Sequence, residues 1–318
     1  MSDRHWSNLQ ETTSVFGIKL LYWIFRLGGR TTFMLTLWPV IIGYWLAVPR
    51  VRHASADYFD RLHKSGYFPS KPSIFHQFRH IFHFADTILD KILAVSGHFS
   101  ARDLEVDGLQ ELLADPSGGI LITSHTGCLE LCSMLRERFS SRKVRILVHT
   151  KHAQQFKRII GRINPTFHLD HIEVTELTPA VAIALEECVR EGDFIVIVGD
   201  RTPIASQAVC PAEFLGQSAS FPIGPFLLGL LLNCRIWSMI CTRNPSKRTR
   251  YALYFRPLWT PHPTPRSQRQ HLFRNLAQSY AIELERRLAQ SPYDWFNFFD
   301  FWQAEQPARD AQKVEHQG

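Results

Sequence analysis

Hydrophobic positions follow two different patterns along the chain. In the first sixty residues they form runs. Residues 16–25 are apolar and aromatic apart from Lys19, Arg26-Leu27-Gly28-Gly29-Arg30 interrupts, and residues 33–48 carry no charge. This second run, FMLTLWPVIIGYWLAV, has sixteen residues, about 24 Å as a helix, whereas a full membrane span takes about twenty. Pro39 and Gly43 would kink it. Three readings stand open: a short single span, a helix or hairpin lying in one leaflet, and a helix of a soluble core. The first two place the protein at a membrane surface, where Trp23, Trp38, Tyr44 and Trp45 would sit in the interface. Arginines flank the run on both sides (Arg26 and Arg30, Arg50 and Arg52), so charge gives no orientation. No small-residue cleavage site follows, which argues against a cleaved signal.

From about residue 118 the pattern becomes an alternation of short apolar runs and helical periods. Strands are predicted at 118–123, 144–149, 172–175, 193–199, 236–242 and 251–257. Helices are predicted at 129–139, 152–163, 179–191, 225–232 and 268–288, with a proline opening the third. Strands spaced by helices imply an α/β layered domain with a mainly parallel sheet flanked by helices. Residues 55–105 read as helical and 308–318 as a loose polar tail. The organisation that follows is an N-terminal membrane-associating segment at 1–60, one main domain at 61–305, and a tail at 306–318. There is no internal repeat, G-x-G-x-x-G or P-loop, so a nucleotide fold has no support.

Composition narrows the partners. Of 318 residues, 45% are hydrophobic, enough for a sizeable core, and the formal net charge is +7. The basic residues are scattered and the aromatics gather towards the ends, which favours an anionic membrane or an acidic carrier over nucleic acid. The six cysteines form no C-x-x-C pair and lie mostly in apolar segments. They read as free thiols of a reducing compartment, without a disulfide framework or zinc site. Cys128 is near His125 and suits a small core-facing residue better than a nucleophile.

The chemistry gathers around Ser124-His125-Thr126-Gly127-Cys128-Leu129-Glu130, directly after the first predicted strand. On one helix, residues five apart point about 140° away from each other. His125 and Glu130 therefore meet only if the histidine sits in the turn before the helix and the glutamate in its first turns. A histidine at the carboxyl end of a strand, oriented by a carboxylate, is a general-base arrangement. The alternative is a satisfied histidine beside a helix-capping acid. Gly199-Asp200-Arg201 follows the 193–199 strand. Arg201 suits a phosphate of a ligand, or else a surface ion pair with Asp200. Residues 214–225, with Gly216, Ser220 and Phe221, read as a glycine- and serine-bearing loop before an apolar helix. Lys151, Lys157 and Arg158 could face an acidic carrier or simply solvent.

In this order, His-x4-Glu, the strand with Asp-Arg, and the Phe-x-Gly loop with its Gly-Pro helix resemble the lysophospholipid acyltransferase superfamily, most closely the lipid A late (lauroyl and myristoyl) acyltransferases. The opening segment and the aromatic stretch 292–302 look similar too, so the resemblance runs from about residue 5 to 303. It implies an acyltransferase with His125 as base, Glu130 fixing its tautomer, and Asp200, Arg201, Gly216, Ser220 and Phe221 binding substrate. It also implies no cofactor and no metal. The acyl donor would be an acyl carrier protein thioester, or less favourably a coenzyme A thioester, and the acceptor a hydroxyl of a lipid or glycolipid. The expected location is the cytoplasmic face of a bacterial inner membrane. Two departures bear on the acceptor: Val148-His149-Thr150-Lys151-His152 replaces the usual Arg-x3-Asn-type segment, and Asp200-Arg201-Thr202 replaces Asp-x-Asp. A glycerophosphate or specialised polyene lipid acceptor stays open, as do a thioesterase and a non-catalytic lipid-binding protein of the same fold.

Overall fold

The structure is a computed structural model that describes residues 15–139, 142–148, 170–173, 179–201, 208–246 and 248–302. The predicted basic helix at 152–163, with Lys151, Lys157 and Arg158, and the polar tail lie outside the described residues. Three helices come first: α1 (Val15–Ala47), α2 (Pro49–Lys64) and α3 (Ile74–Val95). Then follow β1 (Leu104–Asp107), α4 (Leu109–Leu113), β2 (Gly119–Thr123), a 3-10 helix at Leu129–Phe139, β3 (Val144–Val148) and β4 (Asp170–Glu173). Next come α5 (Pro179–Arg190), β5 (Phe194–Val198), the pair β6 (Val209–Phe214) and β7 (Gln217–Pro222), and α6 (Gly224–Leu231). The last elements are β8 (Arg235–Arg243), β9 (Tyr251–Trp259) and α7 (Arg269–Gln290).

Seven strands form one sheet in the order β1-β9-β8-β2-β5-β3-β4, and every pairing is parallel except β8 with β9. The fold is therefore α/β with a mainly parallel sheet flanked by helices. β2 is buried at every position, as expected of a strand covered on both faces. The pleat sorts its side chains. Ile120 and Ile122 join a core with Ile195, Ile236, Tyr280 and Leu284, while Leu121 joins Phe194, Trp237, Leu135 and Phe139 on the other face.

Three predictions need correction. Residues 129–139 are wound as a 3-10 helix rather than an α-helix. Its buried Leu131, Leu135 and Phe139 lie on the sheet, so packing keeps the segment in place whatever its winding. The predicted loop at 214–225 is mostly strand: β6 and β7 pair as a hairpin, and its turn residues Leu215 and Gly216 have φ of 51° and 77°, as tight hairpin turns require. Alternation was present, since Cys210, Ala212 and Phe214 are buried while Pro211 and Glu213 are exposed. The expected boundary at residue 60 falls inside α2, whose Tyr58, Phe59 and Leu62 belong to the main core.

The N-terminal helix is fixed to this body from one side. α1 bends at Gly29, where φ is 69° and ψ −172°. Beyond the bend, Phe33, Leu37 and Ile41 pack with Ile81, Leu89 and Leu93 of α3. Ion pairs reinforce that contact. Asp86 and Asp90 of α3 are buried. Arg30 reaches Asp90 at 2.8 Å, Arg250 reaches Asp90 at 2.7 Å and Arg243 reaches Asp86 at 2.6 Å. Tyr251 Oη also donates to Asp90 at 2.7 Å. Among the described residues, no single helix is long and apolar enough to cross a membrane; only α1 and α2 together, bent by 95°, meet that test.

His80, on α3, ties the helices to the C-terminal segment. Its Nε2 donates to the Trp295 carbonyl at 2.7 Å, and its Nδ1 faces the Ser55 hydroxyl at 3.0 Å. Burial lowers its pKa to about 4, despite the carbonyl contact pulling upward. Between pH 6.5 and 4 the unfolded chain binds this proton and the folded one does not, so the contribution of His80 to stability is intact above about 6.5 and declines as pH falls. A His80→Gln variant lacks this term. Relative to the variant, the wild type is expected to lose about 3 kcal/mol between pH 7 and 4, read by urea unfolding at each pH. A constant difference between the two proteins would remove His80 as the titrating group.

Candidate active site

The register of the sheet builds the site. β2 and β5 are parallel neighbours with Thr123 opposite Val198. Two residues beyond each partner stand His125 and Asp200, so adjacent strands deliver them side by side at the carboxyl edge, where open α/β sheets collect ligands. Between strand and 3-10 helix the chain must turn sharply against β8. Gly127 does this at φ 48°, and a Cβ there would lie 2.5 Å from the Cys241 carbonyl oxygen.

Asp200 is fully buried. Its Oδ1 accepts a hydrogen bond from His125 Nδ1–H at 2.7 Å. Its Oδ2 accepts from the His125 backbone N–H at 2.9 Å, Trp295 Nε1 at 3.0 Å and Asn297 Nδ2 at 3.1 Å. Burial alone would raise this carboxyl, but the charge and hydrogen bond of His125, with Arg201, outweigh it and hold Asp200 below the usual carboxylate range. Burial also pushes the imidazole of His125 below its ordinary value, although Asp200 pulls it back up. Near neutral pH, therefore, Nδ1–H points at Asp200 and Nε2 keeps its lone pair. The side chain is 31% exposed, and Nε2 has no hydrogen-bond partner among the described residues. A neutral imidazole of fixed tautomer with an open nitrogen is a general base awaiting a proton donor.

Here the sequence reading is corrected. Glu130 was expected to fix the tautomer of His125, but the carboxylate on Nδ1 is Asp200, which was expected among the substrate-binding residues. Glu130 instead accepts from Lys91 Nζ at 3.0 Å and from the Cys128 thiol at 3.6 Å. The reason is placement: Glu130 rides into the 3-10 helix towards α3, whereas Asp200 arrives on the neighbouring strand. Lys91 was not foreseen. Burial would lower its pKa, yet Glu130 and Cys128 raise it, so it stays cationic next to the site. Its only signal in the sequence is a lone cation in the apolar stretch around it.

The remaining candidates separate. Arg201 donates to Asn297 Oδ1 at 3.1 Å and to the Phe296 carbonyl at 3.3 Å, bracing the segment that carries Trp295. Gly216 lies on the hairpin turn near Ser65, and Ser220 pairs with Pro211 in the hairpin. Phe221 is buried between Phe214, Tyr280 and Phe301. None of these three makes a hydrogen bond or ring contact with His125 or Asp200. Their contribution is indirect, because Phe214 at the hairpin end packs on Trp295 with ring centroids 5.3 Å apart. Burial pushes the Cys128 thiol well up and Cys132 to about 12, so neither is a nucleophile at neutral pH. Among the described residues no cluster of three or more His, Cys, Asp or Glu side chains could hold a metal ion.

A tautomer switch tests this geometry. In Asp200→Asn the side-chain oxygen is expected to stay with the three donors at the Oδ2 position, turning its NH2 towards Nδ1. Nδ1 must then accept, the proton moves to Nε2, and the base is lost. Activity is expected to fall about 10⁴-fold, as for the equivalent change in a Ser-His-Asp triad, with the switch visible in nitrogen-15 shifts of the imidazole. Glu130→Gln should leave the tautomer unchanged; a switch in that variant instead would return the orienting role to Glu130. No family model matches this sequence and a search of curated proteins finds no match, so the site stands on its geometry.

Proposed function

We propose that the protein is a membrane-associated O-acyltransferase, moving a fatty acyl group from an acyl-thioester to a hydroxyl of a lipid or glycolipid. Acyl carrier protein is the favoured donor over coenzyme A, and the cytoplasmic face of a bacterial inner membrane the place of work. The observation that carries this reading is the neutral His125 with Nδ1 held by Asp200 and Nε2 open. A thioester carbonyl is already activated, so a base for the acceptor is the main chemical requirement, and no covalent acyl-enzyme is needed.

The steps follow from the two nitrogens. The acceptor hydroxyl donates its proton to Nε2 as its oxygen attacks the thioester carbon. Asp200 compensates the imidazolium that forms, and the buried setting strengthens this pairing. The tetrahedral intermediate collapses, the C–S bond breaks, and the imidazolium returns its proton to the leaving thiolate. Ester and free thiol are the products, and His125 is again neutral. Lys91, cationic beside the site, suits the negative charge that grows on the carbonyl oxygen.

The membrane part of the proposal rests on the outer side of α1. Leu27 and Leu35 are 82% and 67% exposed, and Trp38, Ile42 and Leu46 are exposed as well. Phe33, Leu37 and Ile41, by contrast, face α3. A helix buried on one side and apolar on the other suits insertion into one leaflet.

Two measurements check the reading. With purified full-length protein, acyl-carrier thioester and a lipid acceptor, His125→Ala is expected to lose transfer about 10²–10⁴-fold while keeping its melting temperature. Undiminished transfer would end the mechanism. For the membrane, removal of α1 is a poor test because it uncovers Ile81, Leu89 and Leu93 and strips Arg30 from Asp86 and Asp90. Leu35→Glu with Ile42→Glu alters only exposed side chains outside the α1–α3 contact, and is expected to move the protein from the membrane to the soluble fraction without unfolding it. Equal membrane binding by this double variant would contradict the surface assignment.

A further inference from the structure

Glu130 and Lys91 form a pair whose two ends lie in different surroundings. The Glu130 side chain is 8% exposed and that of Lys91 34%, close to the 31% of His125. The carboxylate is located at both oxygens: Oε1 accepts from Lys91 Nζ at 3.0 Å and Oε2 from the Cys128 thiol at 3.6 Å. Cys128 is itself fixed, since its carbonyl accepts from the Cys241 thiol at 3.4 Å and it follows the sharp turn at Gly127. One short segment therefore carries His125 on one side of the turn and the anchor of Lys91 on the other.

The cation has donors to spare. An ammonium carries three N–H groups, and among the described residues Lys91 Nζ gives one of them to Glu130. The nearby carboxylates of α3 are engaged elsewhere: Asp90 with Arg30, Arg250 and Tyr251, and Asp86 with Arg30, Arg243 and Arg250. Lys91 also stands within electrostatic reach of the imidazole. Beyond burial, Asp200 favours protonation of His125, whereas Arg201 and Lys91 oppose it. Arg201 is turned towards Asn297 and the Phe296 carbonyl. Burial works against the charge on Lys91, but Glu130 outweighs it and raises the ammonium above its ordinary range. The cation therefore persists wherever His125 is neutral.

We propose that Lys91 is the oxyanion cation of this site and that Glu130 is the positioning residue that holds it there. The role rests on the acyl-transfer reading, and it gives Glu130 a part that does not pass through His125. As the acceptor oxygen bonds to the thioester carbon, the carbonyl electron pair moves onto its oxygen. Lys91 keeps its protons and stabilises that charge by hydrogen bond and field. The charge leaves the oxygen when the C–S bond breaks and the electron pair departs on sulfur. A lysine stem has many rotamers, and a buried carboxylate at its end selects one, so the cation is in place before the charge develops. The spacing of His125 and Glu130 then serves two opposite charges of one transition state, the imidazolium on the turn and the oxyanion at Lys91.

Transfer from an acyl-carrier thioester by the full-length protein in detergent tests it. Lys91→Met alone strands a buried carboxylate, which costs stability. The main comparison is therefore Lys91→Met with Glu130→Gln, which removes both charges at once. This double variant is expected to melt near the wild type and to lose kcat about 10²–10³-fold, the loss for one oxyanion-hole donor, with KM unchanged. Glu130→Gln alone should be slower than the wild type, and the double variant no slower than Lys91→Met, because Glu130 acts through Lys91. Lys91→Arg keeps a cation and should recover part of the rate. The acid limb of kcat/KM, which reports His125 in the free enzyme, should move to higher pH in Lys91→Met and stay in place in Lys91→Arg; a merely structural loss would not move it. Wild-type kcat in the double variant, a change in KM alone, or single losses that multiply in the double variant would overturn the role of the pair while acyl transfer stands. A wild type that turns over no acyl-thioester would overturn the reaction itself, and this role with it.

Discussion

The carboxylate of Asp200 is the point on which the candidate site converges. Four donors from two parts of the chain meet it: the His125 imidazole and backbone N–H, and the Trp295 indole and Asn297 amide. Each is a charge-assisted bond, and together they keep a buried carboxylate ionised where burial alone would neutralise it. The arrangement acts in both directions. Asp200 decides which nitrogen of His125 carries a proton, and the demand for donors around Asp200 decides where residues 295–297 lie. That segment in turn gathers the rest, since His80 and Tyr58 hold the carbonyls of Trp295 and Pro292. The aromatic packing around Trp295 is thus as much a part of the base as the imidazole.

What the sequence revealed, and what it concealed, follow from the range of the interactions involved. β2 and β5 were legible because doubly covered parallel strands are continuous apolar runs, and His125 was legible because it directly follows one. The hairpin was missed because its glycine and serines outweighed a two-residue alternation. Glu130 was mistaken for the orienting acid because its spacing from His125 is visible locally, whereas the closeness of Asp200 depends on β2 pairing with β5. Once that pairing is drawn, both residues stand two positions past aligned strand ends, which is a usable signal. Nothing in the sequence joins Lys91 to Glu130 or Arg243 to Asp86, since those contacts come from helix docking.

The three open readings of the N-terminal run can now be weighed against packing. One side of the helix after the bend is committed to α3, through Phe33, Leu37, Ile41 and the ion pairs of Arg30. A segment tied to the body in this way cannot leave it to cross a bilayer without abandoning those contacts. Its exposed side is free to enter a leaflet while the inner side stays docked. The same helix therefore contributes to folding on one side and presents an apolar surface on the other.

The long sequence separation of these contacts has a consequence during synthesis. Tyr58 and Pro292 are 234 positions apart, and His80 and Trp295 are 215 apart. A ribosome can release β2, β5 and His125 into the cell well before the segment around Trp295 exists. Until then Asp200 lacks the indole and amide that complete its shell, and the imidazole it governs is not yet fixed. Competence at this edge comes late, after loop closure over most of the chain, a slow kind of contact to form. Fragments truncated before residue 292 would carry the histidine, the aspartate and the parallel sheet, yet lack the indole and amide that hold Asp200, so the imidazole of an incompletely made chain has no fixed tautomer.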